Sequence, residues 1–544
     1  MLAPPWMEVF LGRTKVRQAR QLFRLRALWV HRVCPKDPAG KTVVSKRPHE
    51  ENLSIAGLVA ARYFPEGSAC RKHKAIRCRT NVHALPVLAD QATLTNSSEK
   101  PVINIAPSGL AADLQNRALS GRPIRIGVVG SGMMGGDIVT QVLQMQGIVV
   151  AAIADLSVPA ATRALTEAGR REQEWRIVDT ASALDQAMLD GYVAVTQDAG
   201  LVCRSGLIDV IVDATGKPAV GAEIGLLAME HGKHLVMMNV EADVTIGAYL
   251  KREADRLGVV YSLGAGDEPS STIELIQFVS ALGYPVVAAG KGKNNPLNVD
   301  ATPDDYAEEA KSKHLNPRML VEFVDGSKTA VEMSAIANAT GLVPDIPGMH
   351  GPNVGLDQLH RVLCPREDGG VLTRKGVVDY TIGKGVAPGV FVVAEMAHPR
   401  LRERMDYLQL GKGPYYTFYR PYHLCSLEVP LTCARAVLYG RADMAPLPRP
   451  SAEVCAVAKR DLQPGERLDA IGEYTYRAWA MQADAARREQ AIPCGLLEGG
   501  RVLQAVRRGE LLTYKNAAVD PTARIVELRR RQDAMLAGDI GAAA

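Results

Sequence analysis

Residues 124–138, IRIGVVGSGMMGGDI, constrain the fold of this chain more than any other stretch. Ile124, Ile126, Val128 and Val129 make a short β-branched run that ends at Gly130-Ser131-Gly132-Met133-Met134-Gly135, and a helical pattern continues through Leu143. Strand, glycine turn and helix in that order are the context in which GxGxxG holds a dinucleotide. Gly130 is expected to allow the tight turn, Gly132 to let the backbone approach a pyrophosphate, and Gly135 to let helix and strand pack closely. The pyrophosphate would rest on the free N–H groups of the helix start. A second apolar strand, Val149 to Ala154, ends in Asp155, the distance at which a carboxylate meets the adenosine ribose. With both halves present, the stretch reads as a nucleotide site rather than a glycine turn that serves packing alone.

At 544 residues the chain exceeds a single core and suggests about three domains. No apolar run approaches the roughly 20 residues needed to span a bilayer, so no membrane partner is expected. The net charge of +5 is unevenly spread. Residues 1–100 carry 18 Lys+Arg against 7 Asp+Glu, whereas the rest carries 46 against 52. The body is mildly acidic and shows no nucleic-acid footprint. The 9 cysteines have no CxxC pair and no zinc spacing, which fits a reducing cytoplasm better than a disulfide scaffold. Residues 1–104 read as a basic, disordered leader broken by Pro35, Pro38, Pro48 and Pro65. A targeting segment, a nucleic-acid-binding arm and a mis-assigned start near Val102 all remain open for it.

A short amphipathic helix over 107–120 introduces a nucleotide domain over 105–262. Its strands include Leu207–Ala214 and His234–Met238, and its helices Val220–Gly232 and Ile246–Gly258. Strands separated by helices imply a Rossmann-type, doubly wound parallel sheet within an α/β chain. Ligand groups should then lie at the carboxyl ends of the strands. That places Ala214-Thr215-Gly216, Asn239-Val240-Glu241 and Asp267-Glu268 around the nicotinamide end. Residues 263–445 are richer in glycine, proline and polar motifs and read as an α+β catalytic domain, with a helix over Ser327–Thr340 turning Met333 and Ile336 inward. Pro446–Pro450 marks a linker. In a small module over 451–522, AKRDLQPGERLDAIG (458–472) echoes QAVRRGELLTYKNA (504–517), and a charged helix within 523–544 reads as a surface brace.

The string VDATGKPAVGAEIGLLAMEHGKHLVMMNVEADVTIG resembles the nucleotide domain of homoserine dehydrogenases. NVEADVTIG, GKGKNNPLN, FVDGSKTAVEMSAIANATGLVPDIPGMHGP and GPYYTFYRPYHLCSLE resemble a narrower group, the bacterial DXP reductoisomerase-like (DRL) oxidoreductases, over roughly residues 105–535. The echo after the linker resembles a SAF-type β-clip. The resemblance implies reduction and isomerisation of 1-deoxy-D-xylulose 5-phosphate to 2-C-methyl-D-erythritol 4-phosphate, or action on a related sugar-derived substrate. It also implies NADPH as cofactor and a homodimer. Asp155 by itself argues for NAD, since it repels a 2′-phosphate, so the cofactor is read as NAD(P) with a lean to NADP. One departure stands out: homoserine dehydrogenases carry Asn-Lys where this chain has Asn239-Val240-Glu241, so their catalytic lysine has no counterpart here.

For the implied chemistry, Lys291 and Lys293 with Asn294 and Asn295 make a donor-rich loop suited to phosphate, carbonyl or developing alkoxide. Lys328 is a candidate general acid, and His350 a titratable group pinned between Pro-Gly turns. Arg420 and His423 are candidate substrate contacts. Glu241, Asp267 and Glu268 are the carboxylates best placed for acid–base work or for a divalent cation such as Mg or Mn, Asp267 and Glu268 being the candidate ligands. Each has a bland alternative as a solvated carboxylate, a salt-bridge partner or a packing group. Two other functions stay in view: a homoserine dehydrogenase-type hydroxy-acid dehydrogenase, and a non-catalytic sensor of nucleotide and sugar.

Overall fold

Strands that are apolar along their whole length need cover on both faces, and the first sheet obtains it from helices that alternate with its strands. In this computed structural model, which describes residues 107–312 and 315–543, the strands are β1 (Ile124–Val129), β2 (Ile148–Ala154), β3 (Trp175–Ile177), β4 (Val193–Thr196), β5 (Val210–Asp213), β6 (His234–Met237) and β7 (Tyr261–Leu263). They lie in the order β3-β4-β2-β1-β5-β6-β7, and every pairing is parallel. The order reverses between β1 and β5, which opens a crevice at their carboxyl ends where a doubly wound sheet takes its ligand. The leader over 1–104 lies outside the described residues. No helix among those residues is long and apolar enough to cross a membrane.

On one face Ile124, Ile126 and Val128 pack with Ile138, Val142 and Leu165. The same layer takes Val429 and Cys433 from the helix Val429–Tyr439, so the chain returns beneath β1, β5 and β6 after building its second sheet. On the other face Ile211, Leu235 and Met237 meet Ala228 and Leu250. The helix expected over Ile246–Gly258 starts six residues earlier, at Val240, because Asn239 caps it by accepting from the Ala242 N–H at 3.2 Å.

Ile246 breaks that helix, with φ −139°. A regular helix would bond Tyr249 N–H to the Thr245 carbonyl. Gln532, from the C-terminal helix Arg524–Ala543, fills the gap instead: its Oε1 accepts from Tyr249 N at 3.0 Å and its Nε2 donates to Thr245 O at 3.2 Å. An inserted side chain is a recognised cause of a helix kink. The C-terminal helix is therefore no loose surface brace; Leu528 and Gln532 are buried in its contact with Val240–Leu257.

The second sheet is mixed: β8 (Val286–Gly292), β9 (Val343–Pro344), β10 (Val377–Thr381), β11 (Val390–Glu395) and β12 (Tyr415–Arg420), in the order β12-β11-β8-β10-β9. The helices Glu268–Ala281 and Ser327–Thr340 cover one face, and Leu359, Leu363 and Leu372 cover the other. Of the segment read as a donor-rich loop, the part through Gly292, with Lys291, is the end of β8. Its glycines let neighbouring backbone in: a Cβ on Gly290 would lie 1.6 Å from the Asp379 carbonyl oxygen.

After Leu447 the hairpin β13 (Ala452–Ala458) and β14 (Tyr476–Gln482) lies against the helix Ser327–Thr340, and β15 (Arg501–Val502) pairs with β16 (Ala517–Ala518). The two echoing segments face each other, with Leu462 bridging Val506, while Arg467 bridges Arg501 just ahead of the second segment. Gly465 and Gly509 turn alike, at φ 87° and 82°.

Candidate functional site

The glycine turn leads directly into the helix Met133–Leu143. Gly130 sits at φ 92° with the Ala214 carbonyl 2.6 Å from where a Cβ would be, and a Cβ on Gly135 would lie 2.0 Å from Gly130 O. Both positions exclude any side chain. At Gly132, which caps the helix, nothing lies within 4 Å of a Cβ, so the backbone faces open space. No side chain caps this helix and no acidic residue occupies its first turn, which leaves the N–H groups at Met133, Met134 and Gly135 for an anion. The donor set fits a dinucleotide pyrophosphate.

Asp155 is tied back to this turn. It accepts from Ser131 N at 2.7 Å, Ser131 Oγ at 2.6 Å and Ser157 N at 2.8 Å. Burial works against its charge, but these bonds prevail and hold its carboxyl below the usual range. A fixed negative charge therefore stands just beyond the end of β2, against the glycine turn. Thr215 bonds to Asp213 through N–H and hydroxyl at 3.1 and 2.7 Å, which shapes the turn through Ala214 and Gly216. Asp213 Oδ2 and Asn239 Nδ2, at the ends of β5 and β6, are buried without partners. Asp213 is pushed up to about 6 by burial.

Beside the turn lies a group of charges assembled from five separate segments. Lys291, on β8, donates to Glu268 Oε1 at 2.9 Å and to Glu332, from the helix Ser327–Thr340. Lys328, one turn before Glu332, donates to Glu241 Oε1 at 3.0 Å. His423 Nε2 comes within 3.5 Å of Glu268 Oε2 while its Nδ1 meets Pro388 O at 2.7 Å. Cys425 joins this group to the glycine turn: its Sγ is 3.7 Å from Met134 Sδ and 3.8 Å from Asp267 Oδ1. The side chains of Glu241, Glu268 and Lys328 keep 16, 16 and 19% of their surface open, so the group is not sealed from solvent.

The electrostatics divide these groups into fixed charges and proton carriers. Burial alone would discharge Lys291, yet Glu268 and Glu332 hold its ammonium well above the ordinary lysine range. Lys328 is likewise raised by Glu241, against the effect of burial. Glu268 is held well below the usual carboxylate range by Lys291, also against burial. Burial and the neighbouring Glu268 push Asp267 up to about 8 and Glu332 up to about 7. Lys293 is brought down to about 8 by burial and by Lys291, and donates to Asn295 O at 2.7 Å. Asp267, Glu332 and Lys293 therefore exchange protons near neutrality.

Oxygens of Asp267, Glu268 and Glu332 lie within 4.8 Å of one another, a spacing a divalent cation could use. The Lys291 ammonium already takes oxygens from Glu268 and Glu332, and Asp267 holds a proton near neutrality. A cation would have to displace both, so these residues do not fit one as they stand.

Of the candidates from the sequence, Glu241, Asp267, Glu268, Lys291, Lys328 and His423 come together, with Lys293 next to them and Asn294 exposed at the rim. His350 belongs to a different group: its Nε2 meets Asp345 Oδ2 at 2.7 Å and its N–H donates to Asp379. Arg420 is not available as a phosphate anchor, because Glu428 at 2.5 Å, Glu274 at 2.8 Å and Ser271 Oγ at 3.1 Å take its guanidinium. Glu332 was missed by sequence reasoning. Its signal was present, since it lies four residues after Lys328 and so on the same helix face.

Residues 266–429 match the family model described as Oxidoreductase DRL, catalytic domain, and residues 130–261 match that described as Homoserine dehydrogenase, NAD binding domain. The chain joins two oxidoreductase domains in series. The first binds NAD(P) and the second is of DRL type, covering every member of the charge group except Glu241. A homoserine dehydrogenase from Methylobacillus glycogenes is 29% identical over 118 residues, which are 22% of this chain and 25% of that relative. The match thus spans a quarter of the relative's length. Among solved structures, a probable dehydrogenase from Thermotoga maritima is similar at 13% identity, covering 59% of this chain and 90% of that one, with a TM-score of 0.33. Scyllo-inositol dehydrogenase from Lactobacillus casei is similar at 13% identity over 55% of this chain and 76% of that one, with a TM-score of 0.30.

Proposed function

We propose that this chain is an NAD(P)H-dependent reductoisomerase of a phosphorylated keto-sugar, converting 1-deoxy-D-xylulose 5-phosphate to 2-C-methyl-D-erythritol 4-phosphate or acting on a close relative. One observation supports the reading above others: Cys425 Sγ lies within 4 Å of both Met134 in the dinucleotide turn and Asp267, the proton carrier next to Glu268 in the charge group. The nicotinamide would supply hydride. The residues must then stabilise an oxyanion while one C–C bond breaks and another forms, and give a proton to the alkoxide once hydride has arrived at the aldehyde.

Lys291 and Lys328, held charged, suit the first task, since preorganised cations stabilise developing negative charge. Asp267, neutral at neutral pH, suits proton donation, and Lys293 suits removal of a hydroxyl proton. Lys328 would also replace the lysine that homoserine dehydrogenases carry after Asn239: here that region supplies Glu241, and the cation comes from the second domain. Lys293, Asn294 and Asn295 are the donors assigned to phosphate. Asp155 is assigned to cofactor choice, where the family likeness favours NADPH and the carboxylate favours NADH. No step is assigned to Mg or Mn. A homodimer in a reducing cytoplasm belongs to the same reading.

The test is nicotinamide absorbance with the full chain, NADPH or NADH and 1-deoxy-D-xylulose 5-phosphate, with and without chelator. Turnover that persists in chelator and vanishes in Lys328→Ala is expected. The likeness of the nucleotide domain to homoserine dehydrogenase makes aspartate semialdehyde the second substrate to try. Bound cofactor without turnover on either substrate, or on related sugar acids, would favour a sensor.

A further inference from the structure

The helix that presents Lys328 and Glu332 starts without an ordinary cap. Its N-cap residue is Gly326, which has no side chain, and Asp325 supplies the missing acceptor by taking the Ser327 N–H at 2.7 Å. Asp325 is fully buried, so its charge needs a partner. That partner comes from the C-terminal module: Lys459, just beyond β13 and 4% exposed, pairs with Asp325 Oδ2 at 2.9 Å. The same ammonium donates to Ala301 O at 2.8 Å and Glu473 O at 2.7 Å, so two backbone carbonyls share it with the carboxylate.

Other contacts from the module act on the same two segments. Ser327 Oγ accepts from Ala478 N at 2.9 Å, and at the far end of the helix Asn338 Oδ1 accepts from Ser451 N and Ala452 N, each at 2.9 Å. The stretch that follows Lys293 is pinned by Arg508 to Asp300 at 2.9 Å and by Tyr474 to Asp304 at 3.1 Å. The module thus holds the catalytic helix at both ends and the donor segment from behind.

Resting on the reductoisomerase reading for its substrate, we propose that the C-terminal module is part of the catalytic apparatus and that Lys459 is its positioning residue. Lys459 touches neither the cofactor turn nor the Lys291 group. It sets the start of the helix, and through it the places of Lys328 and Glu332, while its bond to Ala301 O fixes the end of the segment that bears Lys293.

The test uses the full chain with Lys459→Met and the charge-balanced pair Lys459→Met/Asp325→Asn, in which an amide can still accept from Ser327 N. In Lys459→Met, kcat is expected to fall by about 100-fold, equivalent to roughly 2.7 kcal/mol of lost transition-state stabilisation, while cofactor Kd is unchanged. Hydrogen exchange of amides 327–333 should accelerate, and the pair should recover most of both losses. A fall in melting temperature with kcat and exchange at 327–333 unchanged would overturn the proposal. So would loss of cofactor binding in parallel with kcat, or a pair no better than the single variant. The exchange measurement needs no substrate. An inactive wild type would therefore refute the substrate reading alone, whereas unchanged exchange would refute the role of Lys459.

Discussion

The nucleotide domain and the catalytic domain solve opposite problems with their interiors. The first sheet packs apolar side chains on both faces and leaves its ligand to backbone N–H groups at a helix start. The second sheet has an apolar core as well, but Lys291 at the end of β8, the helix beside it and the turn before it fill the crevice with charge. The first arrangement is local, since a single stretch of about a dozen residues makes the turn. The second is collective, since Lys291, Glu268, Glu332, Lys328 and Glu241 are compensated chiefly by one another. Damage should follow suit: graded in the first domain, and disproportionate in the second.

The largest effect is expected from Lys291→Ala. It strands Glu268 and Glu332 in a partly buried crevice, and breaking a buried pair from one side costs about 3–5 kcal/mol. Chemical denaturation should show that loss together with loss of turnover, while Lys291→Met/Glu332→Leu should be clearly more stable than the single variant. A single variant as stable as wild type would break the comparison.

Gly135→Ala comes next. A Cβ there meets the Gly130 carbonyl oxygen at 2.0 Å, so the turn must shift, at about 1–3 kcal/mol by the measure of overpacked sites. Gly132→Ala faces open space and should leave stability unchanged while weakening cofactor binding by about tenfold, or 1.4 kcal/mol. Calorimetric titration with the dinucleotide separates the two.

pH sharpens the comparison further. Asp267 and Glu332 have folded values raised to about 8 and about 7, so the folded state binds protons that the unfolded chain releases. Their contribution to stability is fully present below the unfolded values near 4 and is lost as pH rises through 7 to 8. Melting temperatures recorded from pH 5 to 9 should fall across that window, and Asp267→Asn should flatten the slope. Asp155 has the opposite sign, since its lowered value stabilises above the ordinary carboxylate range and the effect fades in acid. The smallest effect is expected from Asp155→Ala, which should move the NADP(H)-to-NAD(H) preference upward by about tenfold in kcat/KM without loss of the fold.

What the sequence revealed follows the same division. Gly130, Gly132, Gly135 and Asp155 are neighbours in the chain or separated by one helix, so their spacing alone signals the parallel sheet and its crevice. Ser327–Thr340 was legible as a helix for the same reason, down to the inward Met333 and Ile336. The start of the helix at Val240 was hidden because Ile246 interrupts its period, although Asn239 is an ordinary cap. The strand character of Lys291 was masked by flanking glycines that exist to admit backbone from β10 and residue 387. Arg420 looked like a free cation because nothing local announces Glu274 or Glu428 as its partners. Pairings between distant segments leave no local pattern, and the charged crevice is made almost wholly of them.

The insertion of Gln532 into the broken turn at Ile246 has a consequence for how the molecule is made. The two backbone groups it satisfies belong to the nucleotide domain, yet the amide that satisfies them is synthesised almost 300 residues later. Until then Thr245 O and Tyr249 N must stay hydrated, and the apolar face that Leu528 covers must stay exposed. While those residues are made, the nucleotide domain is therefore an unfinished body, with an open seam through which chaperones or a second nascent chain can bind. Closing that seam waits for the helix Arg524–Ala543.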